Sequence, residues 1–200
     1  MQVHKSKTLK LSECVLTIGA LDGLHIGHQT LVKQARKQAV ELGVPLVVYT
    51  FDPPPKVFFQ HVKLLTSLPE KLAMLEKLGV DHVVVAQFNA DYISQGVERF
   101  LQELINLNPV EIFEGHDFRF GRGREGDVNT LRKYFEVFIL DPVLCSAGKT
   151  ISSTRIRELF LKGEVDEANR LLGWNHLKPI VQQNEKRLVT NTLKSGGRYK

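Results

Sequence analysis

Apolar residues along the chain form short continuous runs that alternate with segments of helical spacing. The runs predict buried strands, and the segments between them, with apolar residues three or four positions apart, predict helices. Five strands are predicted in this way, at residues 14–18, 46–51, 83–86, 110–113 and 137–140. Strands that alternate with helices pair in parallel through right-handed crossovers. The pattern therefore predicts an α/β fold, with a Rossmann-like, doubly wound parallel sheet of about five strands and flanking helices.

Three helices are indicated by the recurrence of apolar residues. The first is expected to end at Gly43, since glycine is typical of helix C-termini, and the third has the clearest amphipathic stripe of the chain. The apolar faces comprise Leu31, Ala35, Ala39 and Leu42, then Leu72, Leu75 and Leu78, then Val97, Phe100, Leu101, Leu104 and Ile105. The Asp-Pro-Pro-Pro sequence at 52–55 is expected neither to continue a strand nor to begin a helix smoothly.

The segment between the first strand and the first helix, residues 19–28, carries the strongest candidate chemistry. Ligands of open α/β sheets bind at the carboxyl ends of strands, and a helix N-terminus offers free N–H groups to a phosphate chain. Gly27 allows a close backbone approach, while His25 and His28 can donate hydrogen bonds to phosphate oxygens. An ordinary surface histidine pair is the alternative. A zinc site is disfavoured, because no cysteine or third histidine lies nearby.

A second candidate for phosphate binding lies far downstream, in the sequence Ile-Ser-Ser-Thr-Arg-Ile-Arg at 151–157. Hydroxyl groups can cap a helix, and arginine binds phosphate through two parallel hydrogen bonds. The alternative is an ordinary helix cap with solvated arginines. Two such elements in one α/β pattern favour a phosphate site.

Together these motifs resemble the nucleotidyltransferase superfamily, with its His-x-Gly-His signature and its later Ser-Ser-Thr-x-x-Arg loop. The sequences Thr-Phe-Asp-Pro at 50–53, Gly-His-Asp-Phe-Arg-Phe-Gly at 115–121 and Leu-Leu-Gly at 171–173 extend the resemblance. Over residues 14–174 the chain is similar to the adenylyltransferase (FAD synthetase) module of prokaryotic bifunctional riboflavin kinase/FMN adenylyltransferases. The resemblance implies transfer of AMP from ATP to FMN, giving FAD and pyrophosphate. We expect the chain to lack the riboflavin kinase domain of that family.

The resemblance also implies roles for individual residues. It places His25, His28 and Arg157 in catalysis, with His28 nearest the transferred phosphoryl group. Mg²⁺ is expected to bridge phosphates and keep several waters, so no protein metal ligand is assigned. The residues expected to bind ATP are Gly19, Asp22, Gly23, His25, Gly27, His28, Ser152, Ser153, Thr154 and Arg157. Those expected to bind the flavin are Phe51, Asp52, Asp117 and Phe118. Asp22 is expected chiefly to hold its turn by accepting backbone N–H bonds.

Several positions depart from the family pattern. Ala20 and Leu21 replace Asn and Phe, Pro54 stands where a histidine is usual, and Trp174 follows Leu-Leu-Gly where the family has arginine. These departures leave two alternatives open. In the first, the chain is a catalytically weak flavin- or nucleotide-binding regulatory homologue. In the second, it is a nucleotidyltransferase that acts on another phosphorylated small molecule.

Charge divides the chain into two predicted regions. Residues 1–174 hold 21 basic and 21 acidic residues, whereas residues 175–200 hold six basic residues and one acidic residue. We therefore predict a nucleotidyltransferase domain over 1–174 and a short basic tail over 175–200. A neutral domain does not favour a nucleic-acid partner. The expected partners are small molecules, ATP and FMN, and the oligomeric state is not predicted.

Composition narrows the location of the protein. No apolar run approaches the ~20 residues that cross a bilayer, so no membrane partner is expected. The N-terminus has no cationic and apolar signal pattern, and the expectation is a cytoplasmic protein.

Overall fold

The computed structural model describes residues 1–174, and the predicted basic tail lies outside the described residues. Its central element is a six-stranded parallel sheet in the order β1-β4-β3-β2-β5-β8, beside which β6 and β7 form a small antiparallel pair. The strands are β1 Gln2–Lys5, β2 Cys14–Ile18, β3 Leu46–Asp52, β4 His82–Gln87, β5 Pro109–Gly115, β6 Arg119–Phe120, β7 Gly126–Asp127 and β8 Val137–Leu140.

Within residues 1–174, eight α-helices connect and cover the strands. The longest, α1, directly follows the first candidate motif, and α7 begins within the second. The helices are α1 Ile26–Leu42, α2 Pro55–Gln60, α3 Leu68–Lys77, α4 Ala90–Ile93, α5 Val97–Ile105, α6 Val128–Leu131, α7 Ser153–Leu161 and α8 Val165–Leu172, and a 3₁₀ turn spans Arg122–Arg124.

The strand order reverses beside β2. From β2 the chain moves through β3 to β4 on one side, and it then returns to the other side to form β5 and β8. The crevice outside the carboxyl ends of β2 and β5 is therefore the position where doubly wound sheets bind ligands. The first candidate motif flanks this crevice because the loop after β2 leads into α1, and the second lies beside it because Ser153 at the start of α7 contacts the same loop.

Both faces of the inner strands of the sheet are buried. Alternate residues of β2 point to opposite faces, so Leu16 and Ile18 pack in one apolar cluster with α5, while Val15 packs in another with α1 and α3. Strands covered on both faces are expected to be continuous apolar runs, which is how the sequence predicts them. A third cluster joins α7 and α8 below the second candidate motif.

The predicted fold is confirmed, with one strand more than expected. All five predicted strands are present, and α1 ends at Gly43 in the left-handed conformation with φ of 70°. The sixth strand, β1, has mostly exposed residues and pairs in parallel with β4 at the sheet edge. Because its sequence is largely polar, it has no apolar run that could predict it.

The expectation for the proline run is confirmed for the strand, which ends at Asp52, and wrong for the helix. The helix α2 begins at Pro55, directly after the N-cap residue Pro54. Proline suits the first position of a helix, because its φ is already helical and the amide it lacks would have no partner inside the helix.

None of the helices within residues 1–174 has both the length and the apolar character that a membrane span needs.

Candidate active site

The loop that follows β2 is held in a strained conformation. Leu21 and Leu24 have positive φ angles of 48° and 35°, and Gly23 between them has φ of 80°. Non-glycine residues in this region cost free energy and persist only where surrounding contacts hold them. Here the Gly23 amide donates to Thr66 Oγ1 at 2.9 Å, and Trp174 Nε1 donates to the Leu24 carbonyl at 2.7 Å. Tertiary hydrogen bonds therefore fix the turn that leads into α1.

His25 and His28 stack on each other at the start of α1. His25 is the N-cap residue, and its Nδ1 accepts a hydrogen bond from the His28 amide at 3.4 Å. The ring centroids lie 3.7 Å apart with an interplanar angle of 17°. Because Nδ1 accepts, the proton of the neutral His25 ring lies on Nε2. A Cβ at Gly27 would lie 3.2 Å from two atoms of the His25 ring, so glycine there gives the ring its space.

Both imidazoles are neutral near pH 7. Burial lowers the pKa of His25 from its ordinary value to about 4. Burial also lowers the pKa of His28 well below its ordinary value, and the nearby His25 and Lys71 act in the same direction. The Nδ1 atom of His28 is buried and has no hydrogen-bond partner among residues 1–174. A neutral imidazole can still donate one N–H to a phosphate oxygen, and a bound polyanion would favour a second proton.

Asp22 joins three segments beneath the histidine pair. Its Oδ1 accepts hydrogen bonds from the Leu65 and Thr66 amides at 3.0 Å and 3.1 Å. Its Oδ2 accepts from Nη2 of Arg157, while the Arg157 Nε donates to the Lys63 carbonyl at 2.8 Å. Burial raises the pKa of Asp22, and the Arg157 charge and the two amides oppose that rise. Asp22 thus binds backbone N–H groups as expected, although these belong to another loop.

Arg157, which is predicted to bind phosphate, is buried in an ion pair. Arg157 is 9% exposed and ion-paired with Asp22. This contact positions the first turn of α7 against the loop after β2. A contribution of Arg157 to phosphate binding stays a prediction.

The three hydroxyl groups at the start of α7 have different partners. Ser152 is the N-cap residue and accepts a hydrogen bond from an amide of the first turn. Ser153 Oγ donates to the Asp22 carbonyl at 2.8 Å, which brings the two candidate motifs together. Thr154 Oγ1 accepts from Nζ of Lys56 in α2 at 2.7 Å. Lys56 was not predicted as a site residue, since its only signal in the sequence is a positive charge directly after the proline run.

A buried lysine is the main functional candidate that the sequence analysis missed. Lys71 lies in α3, and its side chain contacts the ends of both β2 and β3. Its Nζ donates to the Ala20 carbonyl at 2.7 Å, to Thr50 Oγ1 at 3.2 Å and to the Phe51 carbonyl at 3.4 Å. Burial lowers its pKa to about 8, against the opposing charges of Asp22 and Asp52. Helical spacing alone gives no sign that this lysine is buried.

The predicted flavin residues of β3 lie at the carboxyl end of the strand. Phe51 is half-buried, and its ring makes edge contacts with Phe88 and Tyr92, both at 5.9 Å between centroids. Asp52 is also half-buried, and its carbonyl accepts a hydrogen bond from the Phe88 amide at 2.9 Å. These residues therefore flank the crevice on the side opposite the turn after β5.

The turn after β5 carries the other predicted flavin residues. Asp117 is exposed, while Phe118 is half-buried and stacks on the core residue Phe120, with centroids 5.6 Å apart. The preceding Glu114 is buried, and its Oε1 accepts a hydrogen bond from the Ile18 amide at 2.6 Å. Burial raises the pKa of Glu114 well above its ordinary value, and the charge of Asp117 adds to the rise. Glu114 thus closes the gap where β2 and β5 separate.

The positions that depart from the family pattern have packing or backbone contacts here. The Ala20 carbonyl binds Lys71, and Leu21 is buried in the cluster beside α1. Pro54 caps α2, and the Trp174 indole binds the loop before His25. These contacts stabilise the site architecture without the side chains that the family usually has.

Gly19 donates its amide to the Tyr49 carbonyl at 2.9 Å, which continues the β2–β3 pairing into the loop.

The side chains around the crevice offer few ligands for Mg²⁺. No cluster of three or more histidine, cysteine or acidic residues within 1–174 could hold a metal ion. The Asp22 carboxylate is already bound to Arg157 and two amides. A cage built by side chains is therefore not available in the described part of the chain. Phosphate oxygens and water, which Mg²⁺ prefers to keep as ligands, are the coordination that fits this site.

Comparisons with known proteins agree with this geometry. The family model described as "FAD synthetase" matches residues 7–155. A Geobacillus thermodenitrificans protein named "Putative bifunctional riboflavin kinase/FMN adenylyltransferase" is 49% identical over 175 residues, which cover 87% of this chain and 98% of that protein. The Listeria monocytogenes "Bifunctional riboflavin kinase/FMN adenylyltransferase" is 37% identical over 183 residues. That match covers 86% of this chain and 58% of the Listeria protein, so the chain corresponds to little more than half of it.

A solved structure shares the fold. It is a Streptococcus pneumoniae crystal structure described as that of a "Macrolide-efflux Protein", with a TM-score of 0.75 and 31% sequence identity. The match covers 86% of this chain and 61% of that one. Because the family model spans most of the chain and the Geobacillus relative is matched almost end to end, this chain belongs to the FAD synthetase family.

Proposed function

We propose that this chain is an FMN adenylyltransferase, which transfers AMP from ATP to FMN and releases FAD and pyrophosphate. The observation that carries the proposal is the stacked pair His25 and His28 at the N-terminus of α1, in the crevice where the strand order reverses. In the reaction a phosphate oxygen of FMN attacks the α-phosphorus of ATP, and the bond from that phosphorus to the bridging oxygen of pyrophosphate breaks. Membership in the FAD synthetase family supports this reaction.

The proposed binding of ATP uses the two motifs that meet at Asp22. His25 and His28 donate to the phosphate oxygens, and His28 is placed nearest the phosphorus that is attacked. Gly19, Gly23 and Gly27 let the backbone approach the nucleotide. On the opposite side, Ser152, Ser153, Thr154 and Arg157 bind the β- and γ-phosphates. Mg²⁺, bound to phosphate oxygens and water, would neutralise charge on the leaving pyrophosphate.

The proposed flavin side lies between the end of β3 and the turn after β5. Phe51 and Phe118 supply apolar ring surface, and Asp52 and Asp117 supply hydrogen-bond acceptors. Such a transfer needs no protein nucleophile, since positioning and stabilisation of phosphoryl charge account for catalysis of this type. Preorganised donors around the phosphates are the part of the site that accelerates the reaction.

Incubation with FMN, ATP and Mg²⁺, followed by chromatographic separation of FAD from FMN, tests the proposal. We expect FAD to accumulate with the wild-type chain and with His61→Asn, a control at an exposed histidine after α2. Binding of both substrates without FAD would instead favour a regulatory homologue. Consumption of ATP only with another phosphorylated small molecule would favour a different acceptor, and either result would contradict the proposal.

A further inference from the structure

Lys71 is placed by a segment that is itself bound to the loop after β2. Ser67 and Glu70 form a capping box at the start of α3, in which the Glu70 carboxylate accepts from the Ser67 amide at 2.8 Å. Just before this cap, the Leu65 and Thr66 amides donate to Asp22. The first turns of α3 are therefore anchored to the same loop that Lys71 contacts.

The ammonium group of Lys71 has an oxygen atom for each of its three protons. The acceptors are the Ala20 carbonyl, the Phe51 carbonyl and Thr50 Oγ1, and the residue is 1% exposed. The Thr50 hydroxyl in turn contacts the Ala20 carbonyl at 3.3 Å. Ala20 opens the loop proposed to bind ATP, and Phe51 belongs to the strand end proposed to bind the flavin. Lys71 thus joins these two backbones through its ammonium group, together with the Thr50 hydroxyl.

We propose that Lys71 is a positioning residue for the adenylyl transfer, because its ammonium group sets the distance between the loop proposed to bind phosphates and the flavin end of β3. This inference rests on the function proposed above. Lys71 acts through the carbonyl oxygens that it holds. Errors of about 1 Å in the placement of reactants can cost ~10²-fold in rate, so a group that fixes two substrate-binding backbones acts mainly on kcat.

The groups around Lys71 set its pKa, so its role can be tested through the pH dependence of the reaction. Asp22 in the loop after β2 and Asp52 at the end of β3 favour its charged form, while burial opposes that form and brings the pKa to about 8. His28 faces it from α1 and is neutral near pH 7, and Arg157 neutralises Asp22 from α7. Above about pH 8 the free chain loses the ammonium proton, and one of the three hydrogen bonds is lost with it.

The first test compares Lys71→Met with the control Lys77→Met, at an exposed lysine further along α3. For Lys71→Met we expect kcat to fall about 30-fold or more, with the KM for ATP within threefold, since the histidine and hydroxyl donors remain. Lys77→Met should match the wild type. A Lys71→Met protein with kcat within threefold of the wild type would overturn the inference.

The second test is the pH profile of kcat/KM, which reports ionisations of the free enzyme. We expect kcat/KM of the wild type to fall above about pH 8, and we expect this fall to disappear in Lys71→Arg, whose charge persists. An unchanged alkaline fall in Lys71→Arg would contradict the inference. If neither variant folds, ¹³C-lysine NMR of the wild type must show one lysine that titrates with the alkaline fall, and its absence would contradict the inference as well.

ATP binding separates the two proposals. Trp174 is the single tryptophan of the chain and contacts the loop before His25, so we expect its fluorescence to change when ATP binds without turnover. A wild type that binds ATP but forms no FAD contradicts the proposed function. A wild type that forms FAD, together with an unaffected Lys71→Met, contradicts only the role of Lys71.

Discussion

The two halves of the candidate site are built differently. In the half proposed to bind phosphates, buried charged groups contact each other and the backbone across long sequence separations, as Asp22 does with Arg157 and Lys71 with Ala20. In the half proposed to bind the flavin, Asp117 is exposed and Phe118 is half-buried. The aromatic cluster beside it also includes Phe59 of α2, which is 58% exposed.

This difference follows from the ligands that each half is proposed to bind. Donors that stabilise developing phosphoryl charge are most effective when they are already oriented before the reaction, which requires a rigid and well-bonded surrounding. A planar aromatic ligand instead gains affinity by burying ring surface on binding, so ring surface must be accessible beforehand. We therefore expect changes in the first half to affect folding and kcat, and changes in the second to affect flavin affinity.

The largest effect is expected from breaking the buried ion pair. Asp22→Asn leaves Arg157 buried without a compensating charge, which typically costs about 3–5 kcal/mol of stability. Urea unfolding should detect this loss. The control Glu41→Gln breaks the exposed pair with Lys37 and should change stability by less than about 0.5 kcal/mol. Equal, small effects for both variants would show that the phosphate half is not rigidified by its buried charges.

Removal of a proposed phosphate donor should affect catalysis with little effect on flavin binding. His28→Ala is expected to lower kcat by roughly 10²-fold or more, because a preorganised donor of this kind is typically worth ~3 kcal/mol in the transition state. Steady-state kinetics with FMN and ATP measure the change. Turnover within threefold of the wild type would remove His28 from the mechanism.

The buried histidines also predict how stability depends on pH. The folded-state pKa of His25, about 4, lies below its ordinary value near 6.5, so the unfolded chain binds more protons between these values. Stability is therefore complete above pH 6.5 and falls as the pH drops toward 4, with a loss from His25 of about 2 kcal/mol by pH 5. Urea unfolding at pH 7 and pH 5 should show a smaller difference for His25→Asn. An equally large difference in that variant would assign the acid sensitivity elsewhere.

The smallest effect is expected in the flavin half. Phe118→Leu keeps an apolar side chain but removes the ring, and the KM for FMN should rise about tenfold, since aromatic contacts are worth ~0.5–1.5 kcal/mol beyond their buried area. The KM for ATP should stay within twofold. Tyr134→Leu, at an exposed ring after α6, serves as the control. A rise in the KM for ATP as large as that for FMN would contradict the assignment of Phe118 to the flavin half alone.

Sequence patterns predicted the sheet well where strands are buried on both faces. β2 and α1 show this, because continuous apolar runs and a C-terminal glycine are local signals. β1 escaped prediction because a polar edge strand is specified by its partner β4, and α2 escaped because the proline run was interpreted only as a break. The formation of β1 depends on its neighbour β4, and the start of α2 depends on a proline at the first position of a helix.

The candidate site was predicted only in part. The motifs around His25 and Ser152 are contiguous in sequence, so their residue types and spacing indicate phosphate chemistry locally. The pairing of Asp22 with Arg157 joins positions 135 residues apart, and no local pattern predicts it. Lys71 occupies a helical position where lysine is ordinarily solvated, and its burial arises from the approach of α3 to the ends of β2 and β3.

The most direct test of the account is to follow the phosphorus atoms of ATP. With FMN, Mg²⁺ and ATP labelled at the α-phosphorus, the account predicts that the label enters FAD in equal amount to the FAD formed. With ATP labelled at the γ-phosphorus, the label should appear only in pyrophosphate. Transfer of the γ-label to the flavin, or release of the α-label without FAD, would contradict the central claim that the two halves of this site join AMP to FMN.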